Sequence, residues 1–190
     1  MQLDGQHPLL TPPGEGEAVT DRPERTIRIL GELDELIVSW FRYEPGQKGP
    51  EPHVHHHHTD AFYVLEGEVE FSLGPEQQKL RASPGMFAAA PPDVVHTFRN
   101  ASDSTAIFLN LHVPSLGFGD YMRGRNPAFD QHEPPPDGGR PLEDAVFTTP
   151  DDAERAWGPI GALSGLAERL GGAVSETIGI DVEADQGGNG

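Results

Sequence analysis

The run His53-Val54-His55-His56-His57-His58-Thr59-Asp60 puts five imidazoles and a carboxylate within eight residues. Neutral imidazole and carboxylate are ligands for divalent transition metals. In an extended chain, residues i and i+2 face the same side, with backbones ~7 Å apart. His53 with His55, or His55 with His57, can therefore grip one ion from one direction, and Asp60 adds an oxygen donor. The chain has no cysteine, so disulfides and thiolate ligation are excluded and any ion is held by nitrogen and oxygen. A further ligand must come from a distant part of the chain. The candidates are His96, His112, His7 and His132, the last two in proline-rich loops.

These side chains need a rigid frame, and the surrounding pattern predicts strands. Residues 26–30, 35–43, 61–65, 68–73, 78–81, 86–90, 94–99 and 105–113 are short runs, most of them rich in β-branched or aromatic residues. Turn signals separate them: Pro45-Gly46, Glu66-Gly67, Gly74-Pro75 and Pro84-Gly85. Many short strands with a turn at almost every gap mean an antiparallel sandwich or barrel. Residues 1–24 read as an irregular N-terminal arm, 25–114 as the barrel and 115–190 as a C-terminal extension. Within the extension, residues 115–125 suggest a short helix with Phe118, Tyr121 and Met122 on one side. A second helix is expected over about 151–170, from its acidic start to Gly171-Gly172. The acidic, glycine-rich last ten residues read as disordered.

Thirty-one acidic residues against 13 basic ones give a formal charge of −18, which repels nucleic-acid phosphate and anionic membranes. No apolar run of membrane-spanning length occurs. A cytoplasmic protein that binds neither nucleic acid nor membrane is expected.

The spacing of these residues resembles the two motifs of the cupin superfamily. The first pattern is His-x-His, four residues, a carboxylate, six residues and Gly, matched by His53, His55, Asp60 and Gly67. The second is Gly, five residues, Pro-x-Gly, two residues, His, three residues and Asn, matched by Gly85, Pro91, His96 and Asn100. Two positions depart from the pattern. Asp60 stands where the family usually has Glu, and Asp93 where the second motif has its inner Gly. The resemblance covers about residues 26–114. It implies an all-β antiparallel barrel or jelly roll and one divalent transition metal per chain. The ligands it implies are His53, His55, Asp60 and His96, and it implies assembly as a homodimer. His56, His57 and His58 then fall in the turn between ligands.

Three imidazoles and a carboxylate suit Fe, Mn, Ni or Co, which keep coordination positions open; Zn would be saturated by four protein ligands. With Asp60 and His96 inward, alternation turns Phe62, Val64 and Phe98 inward as well. Either parity of residues 36–43 offers an aromatic; one of them brings Trp40 and Arg42 into the pocket, where Arg42 would anchor a substrate anion. The resulting site, apolar around a polar centre, suits a small organic substrate. The resemblance extends to small quercetin-dioxygenase-like cupins and so to oxygenase chemistry, with Asp60 as both ligand and catalytic base. Metal-dependent isomerase, cyclase or decarboxylase chemistry without O2 is the alternative, and a non-catalytic binding module is the third reading.

Overall fold

The computed structural model describes residues 9–142. In chain order its elements are β1 (Glu17–Arg22), β2 (Arg25–Glu32), β3 (Ile37–Tyr43), β4 (Thr59–Glu66), β5 (Val69–Leu73), β6 (Gln78–Ala82), β7 (Phe87–Ala90), β8 (His96–Arg99), β9 (Ala106–Val113) and α1 (Phe118–Met122). Every strand from β2 to β9 falls on a run that the sequence marks as strand-forming. One sheet has the order β1-β2-β3-β9-β4-β7 and the other β6-β5-β8, and all pairings are antiparallel. The architecture is an all-β jelly roll.

Aromatic residues from both sheets fill the space between them. Phe62 of β4 lies 4.9 Å from Phe71 of β5 and 4.9 Å from Phe98 of β8. Phe108 of β9 stacks on Phe41 of β3 at 5.2 Å and meets Phe98 edge-on at 5.6 Å. Such offset and edge contacts add to the stabilisation from apolar burial. The turn between β4 and β5 depends on Gly67, whose φ is +70°. A Cβ there would strike the Thr105 carbonyl oxygen, so this corner needs glycine for space as well as conformation.

Two expectations fail. Residues 17–22, read as part of an irregular arm, form β1 and pair with β2. None of its side chains is buried, so this edge strand carries little hydrophobic signal, which is why sequence periodicity missed it. In β3 the inward set is Ile37, Ser39, Phe41 and Tyr43. Trp40 and Arg42 face away, and Arg42 bonds Glu44, the Pro23 carbonyl (2.9 Å) and Thr26 (3.4 Å). Strand parity is all-or-none. The observed parity seats Phe41 and Tyr43 in the aromatic core and leaves a guanidinium outside it. The short helix appears as α1; the helix expected near 151–170 lies outside the described residues.

Phe108 is fully buried at the centre of the cluster. Phe108→Ala should therefore lower unfolding free energy by about 3–5 kcal/mol, read from denaturant midpoints. A loss under ~1 kcal/mol would mean that the two sheets do not meet on this ring.

Candidate metal centre

The loop between β3 and β4 carries His53 and His55, and a reciprocal backbone pair fixes it to β8. His53 N–H donates to the His96 carbonyl (3.1 Å), and His96 N–H donates to the His53 carbonyl (2.8 Å). Their rings consequently lie side by side, with centroids 4.3 Å apart. Asp60 enters from β4, opposite His112 on β9 and Ala90 on β7. Donor atoms of His53, His55, Asp60 and His96 lie within 4.8 Å of one another, and all four residues are buried. A second group, His55, His58 and His112, meets the same distance criterion and shares His55.

Each of the three imidazoles in the four-residue group is held in one tautomer. His53 Nδ1 donates to the Glu51 carbonyl at 2.9 Å, His96 Nδ1 to the Val94 carbonyl at 2.9 Å and His55 Nδ1 to the Asp130 carbonyl. With Nδ1 protonated, Nε2 carries the free lone pair, as in metal-binding histidines anchored from behind. His55 Nε2 is buried and has no hydrogen-bond partner. An orphaned acceptor in a dry site is costly unless something fills the place, and a cation fits. Asp60 Oδ2 sits 3.3 Å from His96 Nε2 and 3.9 Å from His55 Nε2. Its other oxygen accepts from the Asn110 amide. The residues present can hold one divalent ion with three nitrogens and one oxygen.

Burial comes first in setting the ionisation of the rings. It pushes His53 down to about 4, His55 to about 3 and His112 to about 4, and lowers His58 as well. Burial alone would raise Asp60, but the imidazoles of His112, His96 and His55 outweigh it and keep the carboxyl below the usual range. Neutral rings around an ionised carboxylate are the protonation states that metal ligation requires.

Several partners were not legible in the sequence. Asp130 follows α1 in a segment read as plain loop, yet it organises the histidine run. Its carboxylate accepts from the backbone N–H of His56 (3.1 Å) and His57 (2.8 Å) and from His58 Nδ1 (3.0 Å). These donors outweigh the effect of burial and draw Asp130 down to about 2. The neighbouring bridge between Val54 and His132 ties this segment across the loop. His112 is buried, 3.6 Å from Asp60; its Nδ1 donates to His58 Nε2 (2.8 Å), and its Nε2 lies 3.0 Å from Asn110 Oδ1. Phe118 of α1 stacks on it at 3.7 Å. Of the three histidines in the turn, His58 is buried, while His56 and His57 are exposed. His132 is half exposed and bonds Asp130; His7 lies outside the described residues.

The motif departures are accommodated. Asp93 takes φ +69°, the left-handed conformation its position requires and one that Asp adopts more readily than most residues. Its carboxylate accepts from His56 Nδ1 at 2.7 Å. Asn100 bonds the carbonyls of Tyr43 and Ser104 and accepts from Ser102, locking the turn behind β8.

A cavity of about 210 Å³ adjoins the cluster. Phe41, Phe98 and Phe118 line it, together with His53, Asp60 and His112. Of the expected pocket residues, Phe98 reaches the cavity. Phe62 and Val64 point inward but belong to the core beneath it.

Residues 39–112 match the family model described as Cupin domain. The chain is 29% identical over 135 residues to quercetin 2,3-dioxygenase of Bacillus subtilis (strain 168), a match that covers 68% of this chain and 38% of that protein. It is 36% identical over 72 residues to an uncharacterized protein of Aquifex aeolicus (strain VF5), covering 38% of this chain and 57% of that one. The chain thus spans less than two thirds of either curated relative. Among solved structures, KdgF from Halomonas sp. superposes with a TM-score of 0.50 at 25% identity, over 57% of this chain and 94% of that one.

Two measurements test the centre. His53→Ala and His96→Ala should each lose stoichiometric metal in elemental analysis while keeping the β-sheet circular dichroism of the parent. His112→Ala should keep one ion per chain, because it lies outside the four-residue group. Full occupancy in the first two variants would contradict the assignment. In the metal-free protein, the rings of His53, His55 and His112 should remain neutral at pH 5.5 by NMR. Their folded pKa values lie below the unfolded value of about 6.5, so only the unfolded chain gains protons as pH falls toward 4. The stability they contribute is present above about 6.5 and is lost across that window. Ring midpoints near 6.5 would contradict the burial argument.

Proposed function

We propose that this chain, whose residues 39–112 match the Cupin domain model, is a metal-dependent enzyme that oxygenates a small organic substrate bound through oxygen. One observation carries the reading: three tautomer-locked imidazoles and the Asp60 carboxylate converge beside an aromatic-lined cavity. The likeness to a quercetin 2,3-dioxygenase supports the choice of oxygen chemistry over other metal-dependent reactions. A divalent Fe, Mn, Ni or Co ion held there would supply Lewis-acid polarisation of a substrate oxygen and open positions for further ligands.

The residues of the chain do the rest. His53, His55 and His96 present Nε2 lone pairs that need no reorientation, because their Nδ1 hydrogens are already committed. Asn110 occupies Asp60 Oδ1 and so turns Oδ2 toward the rings. Ionised Asp60 accepts the proton that an enol or phenol loses on binding, the catalytic role assigned to it here. Phe41, Phe98 and Phe118 keep bulk water away from that transfer. His112, packed between Phe118 and Asn110, positions the amide that aims the carboxylate.

Oxygen-electrode assays of Fe-, Mn-, Ni- and Co-loaded protein with catechols, flavonols and β-diketones test the proposal. The expected result is substrate-dependent O2 uptake that chelation abolishes and Asp60→Asn reduces by at least tenfold. Asp60→Glu should retain part of it. Turnover at equal rate without O2 would replace the oxygenase reading with an isomerase or decarboxylase; tight binding with no turnover would leave a binding module.

A further inference from the structure

Arg25 opens β2 on the same face as Ile27 and Ile29, both buried, and it lines the cavity that His53, Asp60 and His112 also line. It is the only arginine or lysine among the residues lining that cavity. Its guanidinium carbon stands 5.9 Å from the centroid of the Tyr43 ring, its cross-strand neighbour. Arg42, Arg81, Arg99, Arg123 and Arg125 each have a carboxylate within 4.0 Å; among the described residues Arg25 has none, and of the arginines in that position (Arg22, Arg25, Arg28 and Arg140) it alone lines the cavity. Tyr43 does not neutralise it, since burial pushes that phenol up to about 12 and keeps it protonated. Asp60 is engaged by the Asn110 amide. In a chain of formal charge −18, a guanidinium with no paired carboxylate, facing a cavity whose one acidic lining residue is Asp60, is a positive pole.

By strand register Arg25 is level with Tyr43, and Asp60 with His112 and Ile37, so the guanidinium and the carboxylate stand apart along the sheet while lining one cavity. The cavity volume of about 210 Å³ is below the roughly 300–1,000 Å³ usual for drug-sized ligands. A polycyclic flavonol is therefore a poorer match than a single-ring compound.

We propose that Arg25 is the anion anchor of this pocket, and that the substrate is a compact, single-ring organic acid. Its carboxylate pairs with Arg25 while an oxygen donor at its far end reaches the His53–His55–Asp60–His96 cluster. The guanidinium suits this role because it forms paired hydrogen bonds to a planar carboxylate. The assignment rests on the proposed function for the identity of the far end, but the anchor itself does not require an ion.

The test compares 3,4-dihydroxybenzoate with 3,4-dihydroxybenzamide, which share a catechol end and nearly the same shape but differ in charge. Calorimetry on the Co(II)-loaded full chain gives affinity, and the Co(II) visible spectrum reports whether the catechol end reaches the ion. The expected result is that the acid binds at least tenfold more tightly than the amide. Arg25→Gln should erase that preference and leave amide affinity within twofold, which also shows that the pocket is intact. Arg25→Lys should keep part of the preference. Equal binding of acid and amide by the parent, or an undiminished preference in Arg25→Gln, would overturn the anchor. An Arg25-dependent preference without any Co(II) spectral change would support the anchor and count instead against the metal-centred function.

Discussion

The site depends on how three imidazoles are held from behind. His53, His55 and His96 each donate the Nδ1 hydrogen to a backbone carbonyl, so each ring has one orientation and one tautomer before any ligand arrives. The reciprocal backbone pair between His53 and His96 fixes the spacing of two of them as firmly as a sheet fixes neighbouring strands. Preorganisation of this kind removes the ordering cost from the binding step. It also explains the uneven burial of the five-histidine run. The rings with backbone or Asp130 partners turn inward, and His56 and His57 remain outside.

Dry burial of this many polar groups is tolerated because nearly all of them are paired. Asp130 gathers three donors from the run, His58 and His112 join, and Asn110 links His112 to Asp60. The segment after α1 is thus part of the site, although it lies beyond the barrel strands. Phe118 and Phe129 close the apolar side of this network, packed with Ile29 and Ile37 in one cluster. The orphan left among the imidazoles is His55 Nε2, at the place where a cation would satisfy it. Inward-facing acceptors left open in an otherwise paired network have the character of a binding site rather than of a core.

Strand-forming runs, turn glycines and the spacing of His53, His55, Asp60 and His96 were legible because each is a local signal. Alternation found β2 through β9, and Gly67 marked a corner that no other residue fits. Strand parity in β3 was not legible: Phe41 and Trp40 are equally apolar, and only the opposing Phe62, Phe98 and Phe108 decide which ring enters the core. β1 escaped notice because its burial is slight. Asp130, Asn110, His112 and Arg25 act through contacts made across 50 or more residues, or across a strand pair, and such pairings leave no mark in residue spacing. The role first considered for Arg42 passes to Arg25 for the same reason, since both are strand arginines and parity alone separates them.

The most direct measurement of the central claim is metal-edge X-ray absorption on protein loaded with one equivalent of Co(II) or Ni(II). Multiple scattering from imidazole counts the coordinated rings, and the first shell counts the oxygens. Three rings together with at least one oxygen are predicted. A shell of oxygens with one ring or none would mean that His53, His55 and His96 do not converge on an ion, whatever their arrangement in the metal-free chain.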